Sequence, residues 1–218
     1  MEKKESPKPE TNFDFRSKMG GFSIRLFSIT KFILGVCLLP FVYSESLAFL
    51  NEFNQIEAPF RNYFWSGIIS LLIIYLFVWE PTIIYIKGQK ILEKIFRFFT
   101  PLVKVAPYLL PIYTLILFIL YWVLAYKFKD SINFFVFLFG FSIALHFIFS
   151  AKSLRSKQED FLKANYIFGF AFIYIINLIL LAFGLNLIFE KFSFVNFFNQ
   201  SFQIAKSIFY AAFKQLFL

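Results

Sequence analysis

The chain has 218 residues, of which 59% are hydrophobic and 23% aromatic, with a mean hydropathy of +0.69 and a formal net charge of +9. A soluble domain of this length needs more polar surface than this composition supplies, which excludes an ordinary soluble globular fold. Nearly unbroken apolar stretches long enough to cross a bilayer predict an all-α, polytopic membrane protein. The positive charge needs no nucleic-acid partner, because most of it lies beside the predicted spans, where it contacts the lipid bilayer.

In chain order, residues 1–26 are predicted to be a polar cytoplasmic tail, partly disordered, because they are rich in charge and lack apolar periodicity. Residues 27–190 are predicted to form a transmembrane domain of five helices. Proline residues at positions 40, 107 and 111 fall where they would kink or start a helix. The five spans are expected near residues 27–43, 63–80, 107–126, 132–151 and 166–188.

Basic residues alternate between the two sides of these spans. Fifteen of the 22 lysine and arginine residues fall on segments that share a side with the N-terminus, and six fall on the other side. The positive-inside rule therefore predicts a cytoplasmic N-terminus and a C-terminus outside. The segment between the first two spans carries three acidic residues, Glu45, Glu52 and Glu57, which are candidates for contact with a partner or a cation.

Two stretches have the periodicity of amphipathic helices that lie at a membrane interface. In residues 84–99 a basic stripe opposes an apolar face, and residues 191–218 place Phe-rich and polar faces opposite each other. A further basic cluster follows the fourth span. The basic residues expected to contact lipid headgroups or an acidic partner are Lys87, Lys94, Arg97, Lys152, Arg155 and Lys157.

Candidate chemical groups are few. The only cysteine, Cys37, and the only histidine, His146, both lie in apolar stretches. This excludes zinc sites that need two or more such ligands, and we predict no metal and no cofactor. His146 is either a ligand or proton relay or a histidine hydrogen-bonded between packed helices. Asn177, also in a span, is interpreted as an interhelical hydrogen-bonding residue or a second functional polar group.

Four blocks between Glu80 and Phe183 together resemble a bacterial branch of the site-2-protease-type intramembrane zinc metalloproteases. The first, YIKGQKILE from Tyr85 to Glu93, is similar to that family's Tyr-x-x-Gly-His-Glu-x-x-His helix. The others are a proline-bracketed APYLLPIY segment, His146 followed by LRSKQED, and YIIN ending at Asn177. The resemblance implies a bacterial inner-membrane protein with that family's helical fold.

The chain departs from the family at the zinc helix itself. Gln89, Lys90 and Glu93 occupy the positions of the two histidines and the catalytic glutamate. An amide, an ammonium and a carboxylate cannot make that zinc site or activate its water. The stretch between the first two blocks is also shorter than in the family. The resemblance therefore implies a pseudoprotease, not an enzyme, that binds other membrane proteins as a scaffold or assembly subunit.

Other hypotheses remain open. The polar residues at the former zinc positions could form a re-purposed site such as a salt-bridged latch, or simply the wet face of an interfacial helix. The chain could also be an accessory subunit of a larger membrane complex unrelated to proteases. A small transporter is the third hypothesis, which discontinuous helices or an internal repeat would favour. No convincing repeat is visible in the sequence.

Overall fold

The structure is a computed structural model that describes residues 21–124, 132–155 and 166–217. Every regular element in these ranges is helical, which confirms the predicted all-α class. The helices are α1 (Gly21–Phe53), α2 (Ala58–Ile73, continued by a π-helical turn, Ile74–Val78), α3 (Thr82–Ile95), α4 (Thr100–Leu109), α5 (Ile112–Leu124), α6 (Ile132–Leu154), α7 (Tyr166–Ile188) and α8 (Phe194–Phe217).

Within the described ranges, four helical segments are long and apolar enough to cross a membrane: Ile29–Phe53, Ala58–Val78, Ile132–Leu154 and Tyr166–Ile188. They correspond to the first, second, fourth and fifth predicted spans. The third predicted span, 107–126, was wrong as a continuous helix. The chain forms α4 and α5 instead, separated at Leu110 and Pro111. Leu110 is extended (φ −101°, ψ 126°), as the residue before a proline prefers, and Pro111 has no N–H to continue the helical ladder.

Helix α1 is longer than the predicted span 27–43, because it begins at Gly21, inside the predicted tail, and continues as far as Phe53. The rest of that tail, residues 1–20, lies outside the described residues. Glu45 and Glu52 therefore lie in the helix, where their exposed fractions are 6% and 5%, and the expectation of an outer loop at these positions was wrong. Glu52 accepts hydrogen bonds from the Ser193 backbone N–H (3.1 Å) and Gln200 Nε2 (3.0 Å). Those partners come from the far end of the chain, and the local pattern could not reveal them.

Helices α2 and α6 run parallel and cross at two glycines. A Cβ atom on Gly67 would lie 2.0 Å from the carbonyl oxygen of Phe137, and one on Gly140 would lie 2.0 Å from that of Phe64. The two backbones therefore touch directly, as small residues permit in membrane helix pairs. Phe64, Phe139 and their neighbours form the main core beside this crossing.

Helix α7 runs parallel to α1, and α8 then turns back along it. Gln200 near the start of α8 contacts Glu52, while Phe209 further on packs against Phe41 with ring centroids 5.5 Å apart. Residues 194–216 were predicted to be helical, and the structure shows that helix packed lengthwise on α1. Its position at the membrane interface stays a prediction.

A broken helix capped by polar side chains

The break between α4 and α5 places carbonyl groups inside the bundle without their usual helical partners. Ile112 N–H bonds to the carbonyl of Leu110 (3.0 Å) and not to that of Tyr108, which an unbroken helix would require. The last carbonyls of any helix lack intrahelical donors. In an apolar environment such groups need protein partners, because each unsatisfied one costs several kcal/mol.

Side chains of the two neighbouring long helices supply those partners. Asn177 Nδ2 in α7 donates to the Leu109 carbonyl at 2.9 Å and to its own Ile173 carbonyl at 2.8 Å. Ser150 Oγ in α6 lies 3.3 Å from the Tyr108 carbonyl, and the His146 imidazole also hydrogen-bonds that backbone. The intramembrane polar residues predicted from sequence, His146 and Asn177, therefore both cap the broken helix.

A chain of hydrogen bonds extends from these caps to α3. His146 Nε2 is 3.3 Å from Ser150 Oγ, which is 3.2 Å from the Tyr85 hydroxyl, and Gln89 Nε2 donates to that hydroxyl at 3.1 Å. Burial raises the pKa of Tyr85 to about 12, so the phenol stays neutral at physiological pH. Tyr113 in α5 adds a second tie by donating to the Ile84 carbonyl at 2.6 Å. The network thus joins α3 to both sides of the break.

Beside the network lies a void of about 10 Å³. This is the volume that one water site occupies, and it is too small for a peptide segment or a metabolite. Side chains of α3 to α6 line it, among them Tyr85, Gln89, Pro107, Tyr113 and His146. In this arrangement the cluster is a packed junction between helices.

The three positions that resemble a zinc motif, Gln89, Lys90 and Glu93, face different surroundings. Gln89 points inward and reaches His146 through Tyr85 and Ser150, whereas Lys90 and Glu93 are exposed. The structure therefore brings Gln89 and His146 into one network and leaves Glu93 outside it. Across the described ranges no group of three or more His, Cys, Asp or Glu residues is close enough to hold a metal ion.

The predicted basic cluster is divided among several roles. Lys87, Lys94 and Arg97 are exposed on and after α3. Lys152 forms an ion pair with Glu80, which ties the end of α6 to the turn before α3. The Arg155 guanidinium lies over the ring of Tyr166, 5.3 Å from its centroid, and Lys157 lies outside the described residues.

Sequence reasoning gave Tyr85 and Ser150 no role, although they connect the whole network. A signal for Ser150 was present, because it follows His146 by four residues and so shares its helix face. Tyr85 likewise precedes Gln89 by four residues, but no local signal pointed to its other partner, Ser150, which is 65 residues away. Only Pro111 signalled the break between α4 and α5, and this proline lies inside the predicted span 107–126.

No family model, no curated protein and no solved structure matches this chain. The relation to intramembrane metalloproteases therefore rests on the four sequence blocks alone and stays a proposal.

Proposed function

We propose that this protein is a non-catalytic membrane subunit that binds other membrane proteins, as a scaffold or assembly component. The polar groups that could have performed chemistry, Gln89, His146 and Asn177, are engaged in holding a broken helix together. The altered zinc motif, within a sequence that resembles a protease family, supports the same proposal in the form of a pseudoprotease.

One observation carries the proposal: α8 has an exposed polar face that has no partner among the residues the structure describes. One side of α8 packs on the bundle through Phe197, Ser201 and Ala205, which are buried. Another side carries exposed polar residues spaced three and four apart, which we call the polar stripe: Asn199, Gln203, Lys206, Tyr210 and Lys214.

The contacts of α8 with α1 support a position of the stripe at membrane depth. Ser201 Oγ is 3.4 Å from Ser44 Oγ, and Phe209 packs against Phe41, the midpoint of the apolar segment Ile29–Phe53. Lys206 lies between these two contacts along α8. A lysine at the centre of a lipid-facing helix costs about 2.5–3.5 kcal/mol, so contact with a protein partner would stabilise this arrangement.

Site-specific photo-crosslinking in cells tests this proposal. A benzoylphenylalanine residue at Gln203 should give a discrete protein adduct, whereas the same residue at Ile69, a 53% exposed position on α2, should give none. Equal absence of adducts at both positions would argue against a binding function. Equal diffuse labelling would show that the stripe faces lipid as Ile69 does.

A small transporter is the second candidate, and the discontinuous α4–α5 segment favours it. Transporters often place binding sites where broken helices expose backbone groups inside the bundle. In a Cys37→Ser background, Ser142→Cys at the wall of the void should react with a water-borne thiol reagent if the void opens during transport. Complete protection of that cysteine in native membranes would contradict this candidate.

We also infer a bacterial inner-membrane location with a cytoplasmic N-terminus, which the charge distribution supports. The C-terminus is on the outside only if α8 lies on the outer surface. The course of α8 along α1 favours instead a return towards the side on which α1 begins. Protease accessibility of a tag placed after Leu218, in right-side-out vesicles, distinguishes the two positions.

A further inference from the structure

We infer that the partner of the polar stripe is a transmembrane helix that carries a carboxylate at membrane depth. This inference rests on the proposed binding function and specifies the chemistry of the partner. Its first support is the character of the stripe, in which every side chain can donate a hydrogen bond and two, Lys206 and Lys214, are cationic. Such a surface is complementary to a hydrogen-bond acceptor with negative charge.

Two of the chain's own carboxylates near α8 have other partners, and a third, Glu45, is buried in α1 with Oε2 lacking a hydrogen-bond partner. Glu52 accepts from Gln200 and from the Ser193 backbone, and Glu57 pairs with Lys191 at 3.2 Å. Within the described residues no ion pair joins a carboxylate to Lys206 or Lys214. A carboxylate that pairs with either lysine would therefore come from outside the described part of the chain.

A second copy of this chain is a poor source of that charge. A two-fold contact between identical stripes would join two surfaces that carry lysines and no carboxylate. Anionic lipid headgroups are a poor source for a different reason. They lie at the membrane surface, whereas Lys206 lies between the residues of α8 that contact Ser44 and Phe41 in the apolar segment of α1.

The surface beside the stripe suits a helical partner. Val195, Phe198 and Phe202 form an adjacent apolar face with exposed fractions of 66%, 54% and 65%. A helix that packs on this face would bring one of its own side chains against the stripe. An acidic residue on an otherwise apolar helix satisfies both surfaces at once.

Defined peptides test this inference with the full-length protein. The labelled protein is reconstituted in phosphatidylcholine vesicles with a synthetic Leu-Ala transmembrane peptide that has one Glu at its centre, and association is followed by energy transfer. Matched peptides carry Gln or Leu at that position. We expect the Glu peptide to associate about tenfold more tightly than the Leu peptide, a difference of about 1.4 kcal/mol.

Substitutions in the protein assign the effect to the stripe. Lys206→Met should remove most of the preference for Glu, and Lys206→Glu should reverse it in favour of a peptide with a central Lys. Lys191→Met, at an exposed lysine outside the stripe, should leave the preference unchanged. Because Lys206 is exposed, these variants should fold as the parent does, which an unchanged unfolding curve would verify.

Each alternative has its own outcome. Equal association of the Glu, Gln and Leu peptides overturns the inference. Self-association without peptide that Lys206→Met strengthens assigns the stripe to a second copy, and binding that needs added phosphatidylglycerol assigns it to lipid. If Gln203 crosslinks a protein in cells while the peptides fail, the binding function stands and only the acidic partner is refuted. If the peptides succeed without a cellular crosslink, the binding function fails instead.

Discussion

Helix α6 makes two contacts that hold helices together by opposite means. At its crossing with α2, side chains are absent, and the bare backbones at Gly67 and Gly140 approach directly. At the α4–α5 break, polar side chains are added, and His146 and Ser150 satisfy carbonyls that the broken helix leaves exposed. An added methyl group should disrupt the glycine crossing, whereas the loss of a hydrogen-bond donor should disrupt the contact at the break.

The difference teaches how to interpret polar residues within spans. An ionisable or amide side chain in a membrane helix suggests function by default. Here His146 and Asn177 instead hydrogen-bond the carbonyls left free by the break at Pro111. Only the tertiary structure reveals this structural role. The predictions that follow test whether the two contacts fail for these different reasons.

The largest effect is expected at the glycine crossing. Gly140→Ala would place a methyl group 2.0 Å from the Phe64 carbonyl oxygen, so the two backbones must separate. We expect a loss of about 3 kcal/mol or more in the free energy of unfolding, at the upper end for overpacking. Dodecyl-sulfate unfolding followed by tryptophan fluorescence measures it. Ile69→Ala on the lipid-facing side of α2 is the control and should change little; equal losses would contradict the close approach.

The next effect is expected at the cap from α7. Asn177→Leu keeps the size of the side chain but removes the donor to the Leu109 carbonyl, which lies 2.9 Å away. Leaving a buried carbonyl unsatisfied costs about 1–3 kcal/mol, measured in the same unfolding assay. Asn51→Leu, which removes an exposed amide 3.2 Å from Gln200, should cost clearly less. A neutral Asn177→Leu would mean that the carbonyl needs no cap.

A double-mutant cycle should link that cap to the proline. Pro111→Ala restores an N–H and allows a continuous helix to satisfy its own carbonyls. The cost of Asn177→Leu should therefore be smaller in the Pro111→Ala background, with a coupling of about 0.5–3 kcal/mol. Strictly additive costs would show that the cap and the break are independent.

A smaller effect is expected for Tyr85→Phe, which removes the hydroxyl between Gln89 and Ser150. The loss should be about 0.5–1.5 kcal/mol at neutral pH. Because the folded pKa of Tyr85 lies at about 12 and its ordinary value is 10.0, the contribution of the hydroxyl is complete below pH 10 and is lost as the pH rises towards 12. The stability difference between parent and variant, measured at pH 8 and pH 12, should shrink; a constant difference would refute this assignment.

The smallest effect is expected at the exposed ion pair of Lys152 with Glu80. Both side chains are about half exposed, and solvent screening leaves such pairs little net effect on stability. Lys152→Ala should therefore leave the unfolding midpoint nearly unchanged, with Lys90→Ala as an unpaired control. A loss as large as that of Asn177→Leu would place this pair among the contacts that hold the break.

The sequence allowed prediction of what depends on composition and local periodicity. Four of the five spans and the two amphipathic helices follow from runs of apolar residues and their spacing. The break at Pro111 was missed because a proline inside an apolar stretch is compatible with a kinked helix as well as a broken one. The cap by Asn177 could be foreseen as an interhelical hydrogen bond, but not its partner, because Leu109 lies 68 residues away. The buried position of Glu52 was missed for the same reason, because its partners Ser193 and Gln200 lie 141 and 148 residues away.

The return of α8 along α1 has a consequence for how the protein is made. Gln200, which satisfies Glu52, follows it by 148 residues. At synthesis rates of about 5–20 residues per second, roughly 7–30 s separate their emergence from the ribosome. During that interval Glu52, which is buried in the folded protein, lacks its hydrogen-bond partner Gln200. The packing of α1 is therefore completed only after α8, the last described helix, has been synthesised.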